Sequence, residues 1–265
     1  MTDVLGVCTG WDDEACTVQP ESGPEVRIPL AEIVTGKPVP PRASVRHRVP
    51  PRDAQRHAFA LFPDLETEPL GDWVLRRSPT ATARRANSVL AFGPSGVAGD
   101  VDAVIAHYET LGRRPIAAVL PDSAEERLFR DRGWVLESTD ADTSFRLAGT
   151  ATVLRALPAA SVEVEVDDSS GRAEARVGDL ASGYAGCDGD WVGLGGLWVD
   201  PDHRRQGLGL AVVGALIDWG AAQGATTAYL QVLADNEPAI ALYDRLGFRE
   251  HHRYRYLAAS AACDP

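Results

Sequence analysis

Residues 198–209 read Trp198-Val199-Asp200-Pro201-Asp202-His203-Arg204-Arg205-Gln206-Gly207-Leu208-Gly209, and this stretch decides the fold. The apolar run Trp191–Val199 before it predicts a strand. Asp200-Pro201 breaks that strand, and a helix begins on glycines. Leu208, Val212, Leu216, Trp219 and Ala222 then recur at helical spacing, which predicts an amphipathic helix over 208–223. Glycines at a helix start let a ligand approach the backbone, and the first-turn N–H groups have no partner within the helix. Together with the helix dipole they form an anion cradle of the size of a pyrophosphate. Arg204 and Arg205 add positive charge to it in a chain whose net charge is −12.

Working outward, Thr227–Leu233 is a strand, Asn236–Leu246 a helix and Phe248–Leu257 a last strand. Upstream, Val162–Val166 and Ala173–Val177 form an expected hairpin around 167–171. The middle region alternates in the same way. A helix over Arg52–Leu61 is followed by strands Trp73–Arg77 and Ser88–Phe92, a helix over Asp100–Leu111, strand Ile116–Leu120, helix Ser123–Arg132 and strand Trp134–Glu137. Before Pro38, Pro40 and Pro41, which form a stiff connector, short β-like runs cover Val4–Thr9, Ala15–Gln19 and Glu25–Ile28. Strands alternating with helices give an α/β fold. The expected organisation is a small β-rich module over 1–44, a middle half over 45–150 and a third part over 151–265. A repeat links the last two: Leu128-Phe129-Arg130-Asp131-Arg132-Gly133-Trp134 parallels Leu242-Tyr243-Asp244-Arg245-Leu246-Gly247-Phe248, and the same offset aligns Ile116–Leu120 with Leu230–Ala234 and Asp122 with Asn236.

Two segments resemble the GCN5-related N-acetyltransferase (GNAT) superfamily. Arg204-Arg205-Gln206-Gly207-Leu208-Gly209 is similar to its (Q/R)-x-x-G-x-(G/A) motif. Asn236-Glu237-Pro238-Ala239-Ile240-Ala241-Leu242-Tyr243-Asp244-Arg245-Leu246-Gly247-Phe248 is similar to N-x-x-A-x-x-L-Y-x-x-x-G-F. The resemblance implies a GNAT fold with a mixed central sheet and acetyl-CoA as cosubstrate. Leu197, Trp198 and Val199 would meet the pantetheine arm, and Arg204, Arg205, Gln206, Gly207, Leu208, Gly209 and Leu210 would wrap the pyrophosphate. Asn236 would hold the pantetheine, and Tyr243 would touch the cosubstrate and protonate the leaving thiolate. The bland alternatives are a helix N-cap for Asn236 and a core aromatic for Tyr243. In ribosomal-type members a Glu acts as base where this chain has Gln231, which leaves Asp190, Asp235 or a water relay as candidates. A degenerate first half before an active second half resembles tandem members such as mycothiol synthase. The middle half has Leu90-Ala91-Phe92-Gly93-Pro94-Ser95 in place of the cradle and Phe129 in place of Tyr243. Region 1–44 resembles the SH3-like module of some actinobacterial members.

The expected activity is acetyl transfer from acetyl-CoA to a primary amine by direct attack. The alternatives are an acyl-CoA-binding regulatory module without turnover and a mycothiol-synthase-like enzyme. Arg76-Arg77 and Arg84-Arg85-Ala86-Asn87-Ser88 are either a solvated strand end or part of an acceptor pocket between the halves. A net charge of −12 argues against nucleic acid as partner. No apolar run is long enough to span a membrane and no signal peptide is visible, so a cytoplasmic monomer or homodimer is expected. Cys8, Cys16, Cys187 and Cys263 form no C-x-x-C pair, so neither a metal site nor a disulfide framework is expected, and Cys187 is placed in a loop between glycines.

Overall fold

The computed structural model describes residues 4, 6–20, 23–35, 45–159 and 162–260. The chain divides into two units, Met1–Ala43 and Ser44–Pro265. In the first, β1 (Gly6–Trp11), β2 (Ala15–Pro20) and β3 (Val26–Pro29) form a three-stranded antiparallel meander in that order. Asp12 builds its first turn by accepting from the backbone N–H groups of Glu14 and Ala15. Among the described residues this is a small three-stranded antiparallel sheet. The connector prolines Pro38, Pro40 and Pro41, and Cys263, lie outside the described residues.

The second unit begins with α1 (Pro51–His57), which tightens into a 3-10 turn over Ala58–Leu61. The helix expected over 52–61 is thus split. Then follow β4 (Glu66–Leu70), β5 (Trp73–Arg77), β6 (Val89–Leu90), α2 (Asp100–Thr110), β7 (Ile116–Val119), α3 (Ala124–Asp131), β8 (Val135–Leu136) and β9 (Thr143–Gly149). After them come α4 (Thr150–Ala156), β10 (Glu165–Asp167), β11 (Ala173–Val177), β12 (Ala181–Asp188), β13 (Trp191–Val199), α5 (Leu208–Ala222), β14 (Thr227–Leu233), α6 (Glu237–Arg245) and β15 (Arg249–Ala258). All these strands join one mixed sheet in the order β10-β11-β12-β13-β14-β9-β15-β7-β6-β5-β4, with β8 also pairing on β15.

That order contains an exchange. Strand β9, from the middle of the chain, inserts between β14 and β15 (Leu230↔Arg146, Arg253↔Ser144). Strand β15 pairs with β9 through Tyr254 and then runs on beside β7 and β8 (Tyr256↔Ala118, Leu257↔Leu136). Each half therefore borrows a strand from the other. Ionic contacts fix the crossing. Arg255 of β15 binds both carboxylate oxygens of Asp142 at 2.9 and 2.7 Å and Glu126 of α3 at 3.0 Å. The nearly buried Arg146 of β9 pairs with Asp244 of α6.

Helices α4 and α5 cover one face of the second half, where Val212, Val213, Leu216 and Ile217 pack on Ala173, Ala185, Val192 and Leu230. On the first half Val101, Val104, Tyr108 and Phe129 pack on Val89, Ala117 and the borrowed Leu257. The opposite face is lined by Ala54, Ala58, Leu61, Phe145, Trp191 and Tyr229. Strand β12 carries the residue expected in a loop: Cys187 is half-buried there, and burial pushes its thiol up to about 11. Of the glycines flanking Cys187, Gly189 does sit in a turn (φ +56), while Gly186, like Gly183, serves close packing. A Cβ on Gly183 would press on Leu197 and Val212, and one on Gly186 would overlap the carbonyl of Ala60.

Because Leu257 is fully buried in the first half's core although it ends the second half's last strand, Leu257→Ala should cost about 3 kcal/mol. Near-UV circular dichroism in urea should show one transition moved to lower denaturant. Two separated transitions would mean that the halves fold independently.

Candidate functional site

Strands β13 and β14 run in parallel but pair only from Trp191↔Thr227 to Leu194↔Leu230. Beyond that point β13 continues to Val199 and β14 to Leu233 without pairing, so the sheet splits at Gly195 and Gln231. A register shift against β12, between Ser182↔Trp198 and Tyr184↔Gly195, puts an extra residue into β13 at the split. Gly196 sits there with φ +59, and the ring of Tyr184 lies where a Cβ on Gly195 or Gly196 would be. The edge of β13 that faces β14 is thus left with unpaired backbone groups over 195–199. Leu197 and Val199 are half-buried along it, and Trp198 is exposed.

Both helices that follow the split strands begin at its open end, as expected for a ligand site at the carboxyl ends of parallel strands. After a 3-10 turn over Pro201–His203, Arg205 takes φ +63 and Gly207 φ +84, and Gly207 is the N-cap of α5. The first intrahelical bond is Ala211 N–H to Gly207 O at 3.0 Å, so the N–H groups of Leu208, Gly209 and Leu210 precede it. A Cβ on Gly207 would meet nothing within 4 Å, which means that the space in front of the helix is open. Arg204, Arg205 and Gln206 are exposed around it, and neither arginine has an ion-pair partner among the described residues. Leu208 turns inward and is buried. Leu210 is half-buried against the same core, so these two contribute backbone rather than side chain to the cradle.

Across the split, Asn236 N-caps α6, its Oδ1 accepting from Ala239 N–H at 3.3 Å. The capping role holds, and the Nδ2 of this exposed residue makes no hydrogen bond among the described residues. Tyr243 is half-buried on α6, edge-on to Phe248 with ring centroids 5.9 Å apart. Its hydroxyl has no hydrogen-bond partner among the described residues, and burial raises its pKa above the ordinary tyrosine value.

Gln231 stands at the split itself. Its Oε1 accepts from the hydroxyl of Tyr254, which in turn accepts from that of Tyr256 at 3.3 Å, while its Nε2 is buried without a partner. Asp190 lies before β13, at the end away from the split, and binds Thr226 Oγ1 at 3.1 Å. That position removes it as a base at the split. Asp235 is exposed beside Asn236.

The first half repeats the geometry without the chemistry. Strands β6 and β7 are parallel and pair over two residues, and Gly99 (φ +72) N-caps α2 as Gly207 caps α5. Its first turn, however, carries Asp100 and Asp102, which repel a phosphate, and Phe129 is buried where Tyr243 stands in the second half.

Sequence reasoning missed β4, β9, β12 and α4, and with β12 the ring of Tyr184 at the split; Tyr254 lies on the expected last strand, but its bond to Gln231 was not foreseen. Alternation of polar and apolar residues in Arg253–Leu257 was the one available signal for Tyr254 and Tyr256. Among the described residues no cluster of His, Cys, Asp or Glu could hold a metal, and no helix is long and apolar enough to cross a membrane.

Residues 151–257 match the family described as "Probable histone acetyltransferase Rv0428c C-terminal". The protein of that name from Mycobacterium tuberculosis is 30% identical over 98% of this chain and 90% of its own length. The [ribosomal protein bS18]-alanine N-acetyltransferase of Escherichia coli is 54% identical over 52 residues, 20% of this chain and 35% of that protein, so the chain spans only about a third of that relative. Among solved structures, a GCN5-related N-acetyltransferase from Kribbella flavida superposes with a TM-score of 0.60 at 16% identity, covering 81% of this chain and 96% of that one. A tandem GNAT protein from the clavulanic acid biosynthesis pathway gives 0.52 at 15% identity, covering 82% and 90%. The split parallel pair, its glycine-capped helix and a relative matched over nearly its whole length lead to one conclusion: the chain belongs to the GCN5-related N-acetyltransferase family.

Proposed function

We propose that the second half binds acetyl-CoA in the split between β13 and β14 and transfers its acetyl group to a primary amine. The observation that carries this reading is the pairing of an open, glycine-capped helix start with an unpaired strand edge at the same end of the sheet. Acetyl transfer is named for the M. tuberculosis relative and N-acetylation for the E. coli one, which supports the same chemistry.

The residues divide the work. The N–H groups at the start of α5, with Arg204 and Arg205, hold the pyrophosphate. Backbone groups of Leu197, Trp198 and Val199 run along the pantetheine, with Asn236 Nδ2 across from them. Unpaired N–H groups of the β13 edge polarise the thioester carbonyl. The acceptor nitrogen bonds to the carbonyl carbon, the carbon–sulfur bond breaks, and the sulfur takes the proton of the Tyr243 hydroxyl. The amine gives up its own proton to water, because Gln231 is an amide and its oxygen is already engaged by Tyr254.

Gly207→Glu should raise the acetyl-CoA dissociation constant at least about 100-fold in isothermal titration. It places a carboxylate in the anion site and a side chain at φ +84, which costs about 1–2 kcal/mol by itself. Unchanged binding would end the cofactor assignment.

Free-CoA release measured against a panel of amines should show turnover, with kcat falling about 100-fold in Tyr243→Phe. Tight acetyl-CoA binding with no turnover on any amine would favour the regulatory module instead. The pH profile has a definite sign. Burial raises the pKa of Tyr243 above 10, so its acid form persists through neutral and mildly alkaline pH. The rate should climb with deprotonation of the acceptor amine and not fall again below pH 10. A falling limb between pH 8 and 9.5 would remove Tyr243 as the acid.

A further inference from the structure

On the face opposite α5, the first half places a loop whose geometry is fixed by many hydrogen bonds. Asp64 accepts from Ser78 Oγ at 2.9 Å and from Thr80 Oγ1 at 2.7 Å. Asn87 accepts from Ser78 N–H and donates to the carbonyls of Ala81 and Ala83. Arg84 is held by Glu137 at 2.7 Å and Asp140 at 2.9 Å and lies over the ring of Tyr256. Ala81, Ala83 and Ala86 pack into the same cluster as Tyr184 and Tyr229 of the second half.

Arg85, between these anchored residues, is different. Its side chain is half-buried, its Nε is fully shielded from solvent without a partner, and it makes no hydrogen bond or ion pair among the described residues. Tyr184, Tyr229, Tyr254 and Tyr256 lie within its electrostatic reach. Arg76 lies within the same reach and is only 2% exposed. It donates to Ser88 O and Ser88 Oγ and sits over the ring of Phe59, again without a carboxylate. The Arg85 Nε is thus shut off from water beside phenols, and the buried Arg76 donates only to a carbonyl and a hydroxyl. Buried charge is retained where something opposes it, and among the described residues no carboxylate pairs with either. A second unsatisfied donor among these described residues, Gln231 Nε2, belongs to the amide whose Oε1 accepts from Tyr254.

We propose that Arg85, backed by the positive charge of Arg76, is the anchor for an oxyanion carried by the acceptor, so that the substrate is an amine bearing a carboxylate or phosphate group. The proposal rests on the reading that the split is the acetyl-transfer site. It adds that the anion enters from the face opposite the cosubstrate, with Gln231 Nε2 as a second donor. A planar guanidinium suits either oxyanion by paired N–H···O bonds. Arg85 is therefore a specificity-determining residue supplied by the half that lacks a cradle of its own.

The test compares matched acceptors, glycine with glycinamide and phosphoethanolamine with ethanolamine, for wild type, Arg85→Met and Arg84→Ala. The expected result is a preference for one anionic member over its neutral partner. Arg85→Met should reduce that preference about ten- to hundredfold through KM, leaving acetyl-CoA affinity and the rate with the neutral partner unchanged. Which anionic member responds separates carboxylate from phosphate. Calorimetric titration of succinate and of inorganic phosphate into the acetyl-CoA-free protein gives a readout independent of turnover. One of the two should bind to wild type and Arg84→Ala and lose at least about tenfold in Arg85→Met. Thermal unfolding is the folding control: relief of an uncompensated buried charge should leave the Tm of Arg85→Met equal or higher. No preference for anionic acceptors together with no anion binding, or equal losses in Arg84→Ala, would overturn the proposal. Loss of acetyl-CoA binding by the wild type would instead overturn the cofactor assignment, while the anion titration still judges Arg85.

Discussion

The pairing of β15 along both of its sides is the constraint on which the second unit depends. A strand inside a sheet must satisfy backbone donors and acceptors on its edges, and β15, from the end of the chain, does so against three strands of the preceding half. Its first residues pair with β9 and its last with β7 and β8, so the two halves share one ladder as well as side-chain contacts. The ion pairs of Arg255 with Asp142 and Glu126 add register to this, because a slip of one residue would turn Arg255 to the other face. Ala81, Ala83 and Ala86 of the loop over 78–88 pack in the cluster that holds Trp191 of β13, Tyr229 of β14 and Tyr184 of β12.

The division itself follows from local chemistry. A parallel pair that stops pairing after four residues leaves donors and acceptors exposed, and a ligand that lies along the gap can satisfy them. The extra residue near Gly196 turns β13 away, and the glycines at 193, 195 and 196 leave room for the rings of Tyr229 and Tyr184 to lie flat across the strand. The aromatic face and the split are thus produced by the same short sequence. A side chain at Gly195 would disturb both at once.

The second half was largely legible from sequence, since Trp191–Val199, Leu208–Gln223, Thr227–Leu233 and Asn236–Leu246 carry strong periodicity and clear caps. What escaped shares a physical reason. Ala181–Asp188 contains two glycines and two alanines, poor strand formers that are selected by close packing against α5 and Ala60. Strand β9 takes its place from partners about a hundred residues away, which no local pattern encodes. The glycine-capped helix start, Asn236 and Tyr243 could be picked out from sequence because each belongs to a short motif of fixed spacing. The cluster of Tyr184, Arg85 and Tyr254 could not, because its members come from three separate segments. The cluster around Arg84-Arg85 showed only that charge was concentrated there, and its two arginines turn out to have opposite surroundings.

The first half explains why such a face exists. It keeps the parallel pair and the left-handed glycine before its helix, but Asp100 and Asp102 occupy the first turn and Phe129 fills the core position of an acid. Carboxylates at a helix start stabilise the helix and repel phosphate. In this half β5 and the following loop carry Arg76 and Arg85. An arginine in that place within a single GNAT-like half would need a support of its own. Here the support is the exchanged sheet, which fixes the loop as firmly as the strands themselves. On the proposed reading the two halves divide one reaction between them, the second addressing the thioester and the first the charge of the acceptor.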